Sequence, residues 1–187
     1  KGTDTKIITV MGGTHPTLFP EHCLGSPHVD YVIRGEGETP LFELITKLQT
    51  GSTQGITGIP GVSFKDSTGM HISEISIETG IDLIPDRRLI DSTDYRIGKK
   101  KYTFFLTSRG CPFHCAFCGK PSVPYRKRSM AGMEREISDC LDRDIQAIDF
   151  VDDMLTLDLP FFSRVLEIFR GTGLTLSAMN GIYPGCL

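Results

Sequence analysis

Several features that would define a function class are missing from this sequence. It contains no tryptophan, and no apolar run approaches the ~18 residues of a membrane-spanning helix. Its 20 Lys and Arg residues are outnumbered by 23 Asp and Glu, and the formal net charge of −3 offers no basic surface for a phosphate backbone. No signal peptide is visible. We therefore expect no nucleic-acid partner and no membrane span, and we expect the protein in the cytoplasm.

What the sequence does contain is ordinary for a folded protein. Its 187 residues are 39% hydrophobic and 23% charged, which is enough for one domain or for parts of two. The first residue is Lys1 and not Met, so we expect the chain to be a piece of a longer protein.

The chain has six cysteines, of which three lie within the eight positions from Cys111 to Cys118. Secreted disulfide frameworks belong to short chains with little other core, whereas this chain has many apolar segments. A reducing compartment is therefore favoured, and the close trio indicates a metal or redox site. Cys140 lies at helical spacing from other apolar residues and is expected in the core. Cys23 and Cys186 receive no assignment.

The first half of the chain alternates strand and helix. Residues 6–11 and 31–34 are short apolar strands, each followed by glycine. Thr39 is in the position of an N-cap with Pro40 in the first helical position, and apolar residues at helical spacing continue toward Gly51. An alternation of this kind favours a parallel sheet.

The middle of the chain has a different pattern. Residues 62–65 and 70–75 flank a turn sequence at 66–69, which predicts a β-hairpin. Residues 81–101 have no clear period and contain Pro85 and several charges. We interpret them as a connector between two domains.

A second alternation follows this connector. Strands are predicted at residues 102–108, 147–151 and 174–179. Ser129 is in position to cap a helix, and residues 159–170 predict another. This half therefore also favours a parallel sheet with helices between its strands.

The first of these strands leads into the CxxxCxxC sequence of Cys111, Cys115 and Cys118. Thiolates bind soft metals and iron–sulfur clusters, and three of them can hold three irons and leave the fourth iron open. A structural zinc site needs four ligands, usually in two separated pairs. His114 is the available fourth ligand, but it lies beside Cys115, where both side chains would struggle to reach one ion. An iron–sulfur cluster is favoured over zinc, and simple buried thiols are the third interpretation.

The cysteine loop resembles that of the radical S-adenosylmethionine (SAM) superfamily. The resemblance implies that Cys111, Cys115 and Cys118 bind a [4Fe–4S] cluster whose open iron chelates the amino and carboxylate groups of SAM. Electron transfer from the cluster would cleave SAM to methionine and a 5′-deoxyadenosyl radical. Phe117 matches the family's aromatic residue before the last cysteine, which packs near the adenine; the alternative is a core phenylalanine at the base of the loop.

Polar residues follow the next two predicted strands. Catalytic groups of βα barrels lie at the C-terminal ends of strands, and Asp152 and Asp153 follow the strand at 147–151. By resemblance, a carboxylate there would accept hydrogen bonds from the SAM amino group; alternatively it stabilises a helix N-terminus. Asn180 follows the strand at 174–179 and either faces the same cavity or forms an Asn-Gly turn.

Two basic residues of interest lie just past the cysteine loop. Arg126 and Arg128 belong to the segment YRKRS. They would either neutralise the SAM carboxylate or be solvated, and solvation is slightly favoured.

Glycine motifs end both strands of the first half. Gly12 and Gly13 would let a ligand approach the backbone closely, although a tight turn is the usual meaning of paired glycines. Residues 35–38 (GEGE) precede a helix, as phosphate loops do, but their two carboxylates argue against an anion.

Seven segments together resemble the cobalamin-binding-domain radical SAM proteins, and they occur in that family's order: GGTHPT, DYVIRGEGE, IPGVSF, TSRGCPFHCAFC, YRKRS, FVDDMLTLD and MNGI. The resemblance covers nearly the whole chain. It implies that Gly12 and Gly13 pass close to the nucleotide tail of cobalamin. The family's Asp-x-His-x-x-Gly loop is absent and would precede Lys1. His15 is not that histidine, so no axial ligand is named.

The expected fold is α/β. Residues 1–80 are expected to form the C-terminal part of a Rossmann-like cobalamin-binding domain with its hairpin, 81–101 the connector, and 102–187 the first half of a radical SAM (βα)6 partial TIM barrel. Three barrel strands are visible where the family has six. Because the edges of two half-sheets would be unpaired, we expect the 187 residues alone to be poorly soluble or inactive.

The resemblance implies a [4Fe–4S] cluster, SAM and cobalamin as cofactors, a small-molecule substrate, and an electron donor such as flavodoxin or ferredoxin. The expected function is a cobalamin-dependent methyltransferase acting on an unactivated carbon, in which a substrate radical takes a methyl group from methylcobalamin. Two alternatives stay open. One is a cobalamin-dependent radical SAM oxidative cyclase or another radical reaction, and the other is a non-catalytic cobalamin- or metal-binding module.

Overall fold

The structure is a computed structural model that describes residues 7–51, 55–89, 95–121 and 123–180. The chain divides into two compact units. The first unit consists of residues 1–79 and 115–121, and the second of residues 80–114 and 122–187. Both units combine helices with β-sheet, so the expected α/β class is confirmed.

The first unit is built on a four-stranded sheet whose strands lie in chain order. Its strands are β1 (Val10–Met11), β2 (Tyr31–Ile33), β3 (Val62–Asp66) and β4 (Gly69–His71). β1 pairs with β2 in parallel, and β3 pairs antiparallel with both β2 and β4. The parallel pair and the hairpin that the sequence predicts are therefore both present. β1 is shorter than the expected strand at 6–11, of which residue 6 lies outside the described ranges.

Three helices belong to this unit: α1 (Thr14–Leu18), α2 (Pro20–Leu24) and α3 (Glu38–Gln49). α3 follows the helical pattern in the sequence, but the prediction that Thr39 is its N-cap is wrong, because the helix already begins at Glu38. The carboxylate of Glu78 instead accepts hydrogen bonds from the Thr39 amide at 2.8 Å and from its hydroxyl at 2.9 Å. A remote carboxylate thus supplies the N-terminal cap that was expected from a local side chain.

The core of the first unit lies between α3 and the sheet. Its buried members are Ile33, Leu44, Ile56, Ile59 and Val62. Leu44 on α3 and Val62 on β3 are both at most 2% exposed. Burial of such side chains contributes roughly 1.5–3 kcal/mol each, so this contact is a main source of stability for the unit.

The second unit has a sheet in the order β10-β9-β6-β5. Its strands are β5 (Arg96–Ile97), β6 (Lys100–Phe105), β9 (Ala147–Phe150) and β10 (Thr175–Ala178), and a separate two-stranded ribbon pairs β7 (Ser108–Arg109) with β8 (Arg126–Lys127). β9 pairs in parallel with both β6 and β10. The three predicted parallel strands are therefore neighbours.

Two helices cover one face of that sheet: α4 (Met130–Asp142) and α5 (Leu159–Phe169). The predicted cap of α4 is confirmed, because the Ser129 hydroxyl accepts a hydrogen bond from the Gly132 amide at 3.0 Å. Asp158 caps α5 in the same way through the Phe161 amide at 2.9 Å. Eleven buried residues fill the core beneath them: Phe105, Met133, Ile137, Cys140, Ile145, Ile148, Phe150, Leu155, Phe161, Val165 and Phe169.

Residues 81–101, expected as a connector, contain ordered structure where they are described. A 3-10 turn spans Arg87–Leu89, and β5 and the start of β6 follow. Asp82 accepts a hydrogen bond from the Ser129 amide at 2.9 Å. No helix in the described parts of the chain has the length and apolar character needed to cross a membrane.

Candidate functional site

The cysteine loop directly follows β7. Its residues 111–121 form no helix or strand, and the Cys118 amide donates a hydrogen bond to the Cys115 carbonyl at 2.9 Å. Cys111 is half-buried, Cys115 and Cys118 are exposed, and all three are free thiols. Cys111 belongs to the second unit, and Cys115 and Cys118 belong to the first. Thiols of this kind, outside regular structure and not bonded in disulfides, are donors that suit iron–sulfur ligation.

The residue before the first cysteine has a restricted backbone. Gly110 has a φ of 91°, which L side chains rarely adopt. A Cβ at this position would lie 2.2 Å from the carbonyl oxygen of Pro124. The chain therefore enters the cysteine loop through a position that only glycine fits.

Asp152, one of the two acidic residues singled out from the sequence, is fully buried. Its Oδ1 accepts hydrogen bonds from the Thr107 hydroxyl at 2.7 Å and from the amide and hydroxyl of Ser108, both at 2.6 Å. The Thr107 amide lies 3.1 Å from both carboxylate oxygens. The carboxylate is thus occupied by the chain that precedes the cysteine loop.

The other predicted polar residues lie at the same strand ends. Asp153 is half-buried beside Asp152. The side-chain amide of Asn180 donates a hydrogen bond to the Asp152 carbonyl at 3.0 Å. The ends of β9 and β10 are therefore joined, and Asn180 has a partner that a turn alone would not give it.

Phe117 is 93% exposed. The interpretation of this side chain as a core phenylalanine at the base of the loop is therefore wrong. Its aromatic face is available to a ligand, as the alternative interpretation requires.

Arg128 is only 5% exposed, so the interpretation that it is solvated is wrong. Its Nη1 donates to Glu136 at 2.5 Å and to the Leu106 carbonyl at 2.9 Å. Arg87 contacts the other oxygen of the same glutamate, so two guanidinium groups share one buried carboxylate. Arg126 is half-buried in β8, where its Nε donates to the Pro124 carbonyl at 3.2 Å.

The predicted glycine pair lines a cavity in the first unit. The cavity has a volume of about 480 Å³ and lies at the carboxyl ends of β1 and β2, where Gly12, Gly13, Ile33, Gly35 and Leu41 contribute to its walls. Its volume falls within the range of roughly 300–1,000 Å³ that is typical of small-molecule sites. The space beside Gly13 is open, since a Cβ there would have no atom within 4 Å, but its φ of 102° is one that L side chains rarely adopt.

A buried threonine joins the two glycine loops of this cavity. The Thr17 hydroxyl donates to the Gly13 carbonyl at 2.7 Å and accepts from the Gly35 amide at 2.9 Å. Thr17 is 3% exposed. Thr17 is the last residue of the GGTHPT segment, but no local signal in the sequence marks it as a functional residue. One hydroxyl thereby sets the spacing between the two cavity walls.

Two further cysteines are core residues. Cys140 is fully buried, and burial raises the pKa of its thiol to about 11. Cys23 is 5% exposed and packs with Leu24 and Val32. Its sulfur and the ring nitrogens of His15 and His22 lie within 4.8 Å of one another, but the packing of Cys23 favours a core role. Cys186 lies outside the described residues.

Comparison with known proteins gives one matching family model and several relatives. Residues 1–45 match the family model of the B12 binding domain. An uncharacterized methyltransferase of Pyrococcus horikoshii is 32% identical over 174 residues, which are 84% of this chain and 36% of that protein. The anaerobic magnesium-protoporphyrin IX monomethyl ester cyclase of Rubrivivax gelatinosus is 28% identical over 127 residues, which are 64% of this chain and 23% of that protein.

The fold also resembles a solved structure. The cobalamin-dependent S-adenosylmethionine radical enzyme OxsB, with aqua-cobalamin and S-adenosylmethionine bound, superposes with a TM-score of 0.66 and 22% identity over 88% of this chain and 24% of that one. The present chain thus spans well under half of the length of each of these proteins. The B12 binding domain match, these relatives and the shared fold together confirm the resemblance to cobalamin-binding radical SAM proteins that the seven sequence segments carry.

Proposed function

We propose that the full-length protein containing this chain is a radical SAM enzyme, and that it is a cobalamin-dependent methyltransferase acting on an unactivated carbon. The observation that carries the proposal is the order of two sites along one chain. A glycine-lined cavity lies within the B12-binding match, and a loop of three free thiols follows it. The methyltransferase relative supports methyl transfer as the reaction.

Cys111, Cys115 and Cys118 are the proposed ligands of a [4Fe–4S] cluster. Such a cluster, when bound with SAM, supplies the electron that cleaves SAM reductively. The protein's own contribution is to hold three thiolates in one loop and to leave one iron without a protein ligand. The exposure of Cys115 and Cys118 gives iron access to the thiols during assembly.

Three other residues are proposed to contact SAM. Asp153 is half-buried directly after β9, and it is proposed to accept hydrogen bonds from the SAM amino group because catalytic groups of βα barrels lie at such strand ends. Phe117 packs against the adenine through its exposed ring. Asn180 lies at the end of β10 and keeps its side-chain oxygen for a donor, because its nitrogen binds the Asp152 carbonyl.

Gly12 and Gly13 are proposed to lie against the nucleotide tail of cobalamin. The glycine-lined cavity suits one end of this ligand, because bare backbone permits close approach. Ile33 and Leu41 give the cavity an apolar wall on which a flat ring can pack.

The same proposal assigns residues 1–80 to part of a Rossmann-like cobalamin domain and residues 102–187 to half of a (βα)6 barrel, joined by residues 81–101. The parallel pair β1–β2 and the parallel strands β6, β9 and β10 support these assignments. A small-molecule substrate and an electron donor such as flavodoxin or ferredoxin complete the proposed system.

The test is to identify the products of SAM. Full-length protein is reconstituted anaerobically with iron, sulfide and cobalamin, then given SAM and a low-potential reductant. A methyltransferase forms both S-adenosylhomocysteine and 5′-deoxyadenosine, and during turnover with substrate the two form in about equal amounts, since each methyl transfer uses two SAM molecules in distinct roles. Neither product, with cobalamin still bound, would point to a non-catalytic binding module.

A second candidate is an oxidative cyclase, which the similarity to the Rubrivivax enzyme supports. A cyclase needs only the reductive cleavage of SAM. 5′-Deoxyadenosine without S-adenosylhomocysteine, under the same conditions, would favour this reaction over methyl transfer.

A further inference from the structure

The buried carboxylate of Asp152 stands out because all of its hydrogen bonds go to one short segment. Thr107 and Ser108 supply two main-chain amides and two hydroxyls to it, at distances of 2.6–3.1 Å. Asp152 and Thr107 are each 0% exposed, and Ser108 is 1% exposed. These bonds are therefore shielded from water, and most of them converge on Oδ1.

The chemistry of these four donors requires an acceptor without protons. Hydroxyls can rotate, but the amides of Thr107 and Ser108 point in fixed directions. A carboxylate accepts from all of them, and such charge-assisted bonds are roughly twice as strong as neutral ones. An amide side chain of the same shape would direct an N–H group at one of these donors and lose part of the network.

The segment held in this way leads to the first cysteine. Cys111 follows Ser108 after two residues, Arg109 and Gly110. Ser108 and Arg109 form β7, whose pairing with β8 holds the other side of the segment. Between this segment and Cys111 lies only Gly110, which has a φ of 91° and no space for a Cβ beside Pro124. A shift at Ser108 is therefore transmitted to Cys111 with little room for compensation.

We propose that Asp152 is a positioning residue for the cluster: it fixes Thr107 and Ser108, and through them the place of the Cys111 thiolate. The inference rests on the proposed function, since it concerns the cluster that the three cysteines would hold. Partners outside the ligand shell orient ligands in many metal sites, and their replacement typically weakens metal binding 10–100-fold. Asp152 acts here through main chain and not by contact with SAM.

The experiment compares cluster properties of the full-length protein and its variants after anaerobic reconstitution. In Asp152→Asn, we expect the cluster to lose iron to a chelator about tenfold faster, at the low end of the range for such partners. The spin-resonance g values of the reduced cluster should also shift when no SAM is present. Asp142→Asn, on the exposed end of α4, controls for the loss of one negative charge.

A milder pair of variants guards against failure of Asp152→Asn to fold. Thr107→Val and Ser108→Ala remove one hydroxyl each and keep both amide bonds to Asp152, so they should give smaller shifts in the same direction. A purely structural role would lower the unfolding temperature and leave the spectrum and iron loss of the folded protein unchanged; that result would overturn the proposal. Wild-type protein that takes up no iron would overturn the proposed function, and the positioning role with it.

Discussion

The two units treat the ends of their parallel strands in opposite ways. After β1 and β2 the chain has glycines, and the space above them is a cavity of about 480 Å³. After β6 and β9 it has Thr107, Ser108 and Asp152, which fill the space with hydrogen bonds to one another. One strand end is left open, and the other is closed by protein.

The difference shows how strand ends can serve two kinds of cofactor. A large organic ligand needs room, and glycine supplies room by omitting the side chain. A metal cluster needs ligands at fixed places, and a buried carboxylate holds the ligand segment still. The hydrogen bonds at the two ends also differ. The Thr17 hydroxyl makes two hydrogen bonds across the open end, whereas the Asp152 carboxylate accepts from four donors at the closed end.

The largest expected effect is the loss of the cluster when a thiolate is removed. Alanine at Cys111, Cys115 or Cys118 should abolish the absorption and spin-resonance signals of a [4Fe–4S] cluster in anaerobically reconstituted full-length protein, because each thiolate binds one iron. Cys140→Ala should retain them, since Cys140 lies in the core. A stoichiometric zinc site without iron uptake would contradict the cluster assignment.

The buried ion network beneath the closed end should be next in size. Glu136→Gln replaces the buried carboxylate that Arg87 and Arg128 share with a neutral amide, and breaking a buried pair costs about 3–5 kcal/mol. Denaturant unfolding measures this change in the free energy of unfolding. Asp139→Asn breaks a more exposed pair on the same helix and should cost only about 0.3–0.5 kcal/mol. Equal losses of unfolding free energy in the two variants would show that burying the network does not increase its contribution to stability.

A substitution at Gly12 can fill the cavity at the carboxyl ends of β1 and β2. A Cβ at Gly12 would meet nothing closer than 3.9 Å, so Gly12→Val should fold normally while its side chain occupies the cavity. We expect cobalamin to bind about tenfold more weakly, which corresponds to about 1.4 kcal/mol. Titration with hydroxocobalamin, followed by absorbance, measures the affinity. Gly58→Val has open space around its Cβ and lies outside the cavity, so it is the matched control. Unchanged binding in Gly12→Val would remove this cavity from the cobalamin site.

The smallest expected effect is the contribution of the Asp82 carboxylate to stability in acid. Burial opposes a lower pKa for Asp82, but hydrogen bonds from Ser129 and the charge of Arg128 outweigh it, and the pKa is lowered. The carboxylate therefore stabilises the folded state above its unfolded pKa of about 3.9, and this contribution is lost as the pH falls through the lower folded value. Because the group is 41% exposed, the contribution should stay below about 1 kcal/mol.

Unfolding free energies of wild type and Asp82→Asn at several pH values test this sign. The two proteins should differ at pH 7 and converge in acid below the folded pKa of Asp82. Asp142→Asn serves as the charge-matched comparison because Asp142 is exposed. A difference that grows in acid would show that the direction of the shift is wrong.

The sequence predicts the elements that depend on local signals. The cap at Ser129, the helices α4 and α5 and the β3–β4 hairpin all follow from residues close to one another in the chain. The start of α3 does not, because its cap comes from Glu78, 39 positions after Thr39. The short helices α1 and α2 were also missed, since five residues are too few to show a helical period.

The same distinction holds for the candidate site. The spacing of the cysteines is local and was visible, and so was the acidic pair after β9. What Asp152 contacts was not visible, because its partners lie 44 and 45 positions away. The burial of Arg128 was not visible in the sequence either, and solvation was the favoured expectation. Its burial depends on Glu136 and on Arg87, which approaches that glutamate from 49 positions earlier.

The register of β9 has a consequence for how such chains can diverge. Ala147 lies opposite both Tyr102 and Thr175, and Phe150 lies opposite both Phe105 and Ala178. One inserted residue in this strand would slip two ladders at once and turn Ile148 and Phe150 away from the core. Length variation among homologues should therefore collect in the surface turn after α4, where Asp144 is exposed, and leave β9 at constant length.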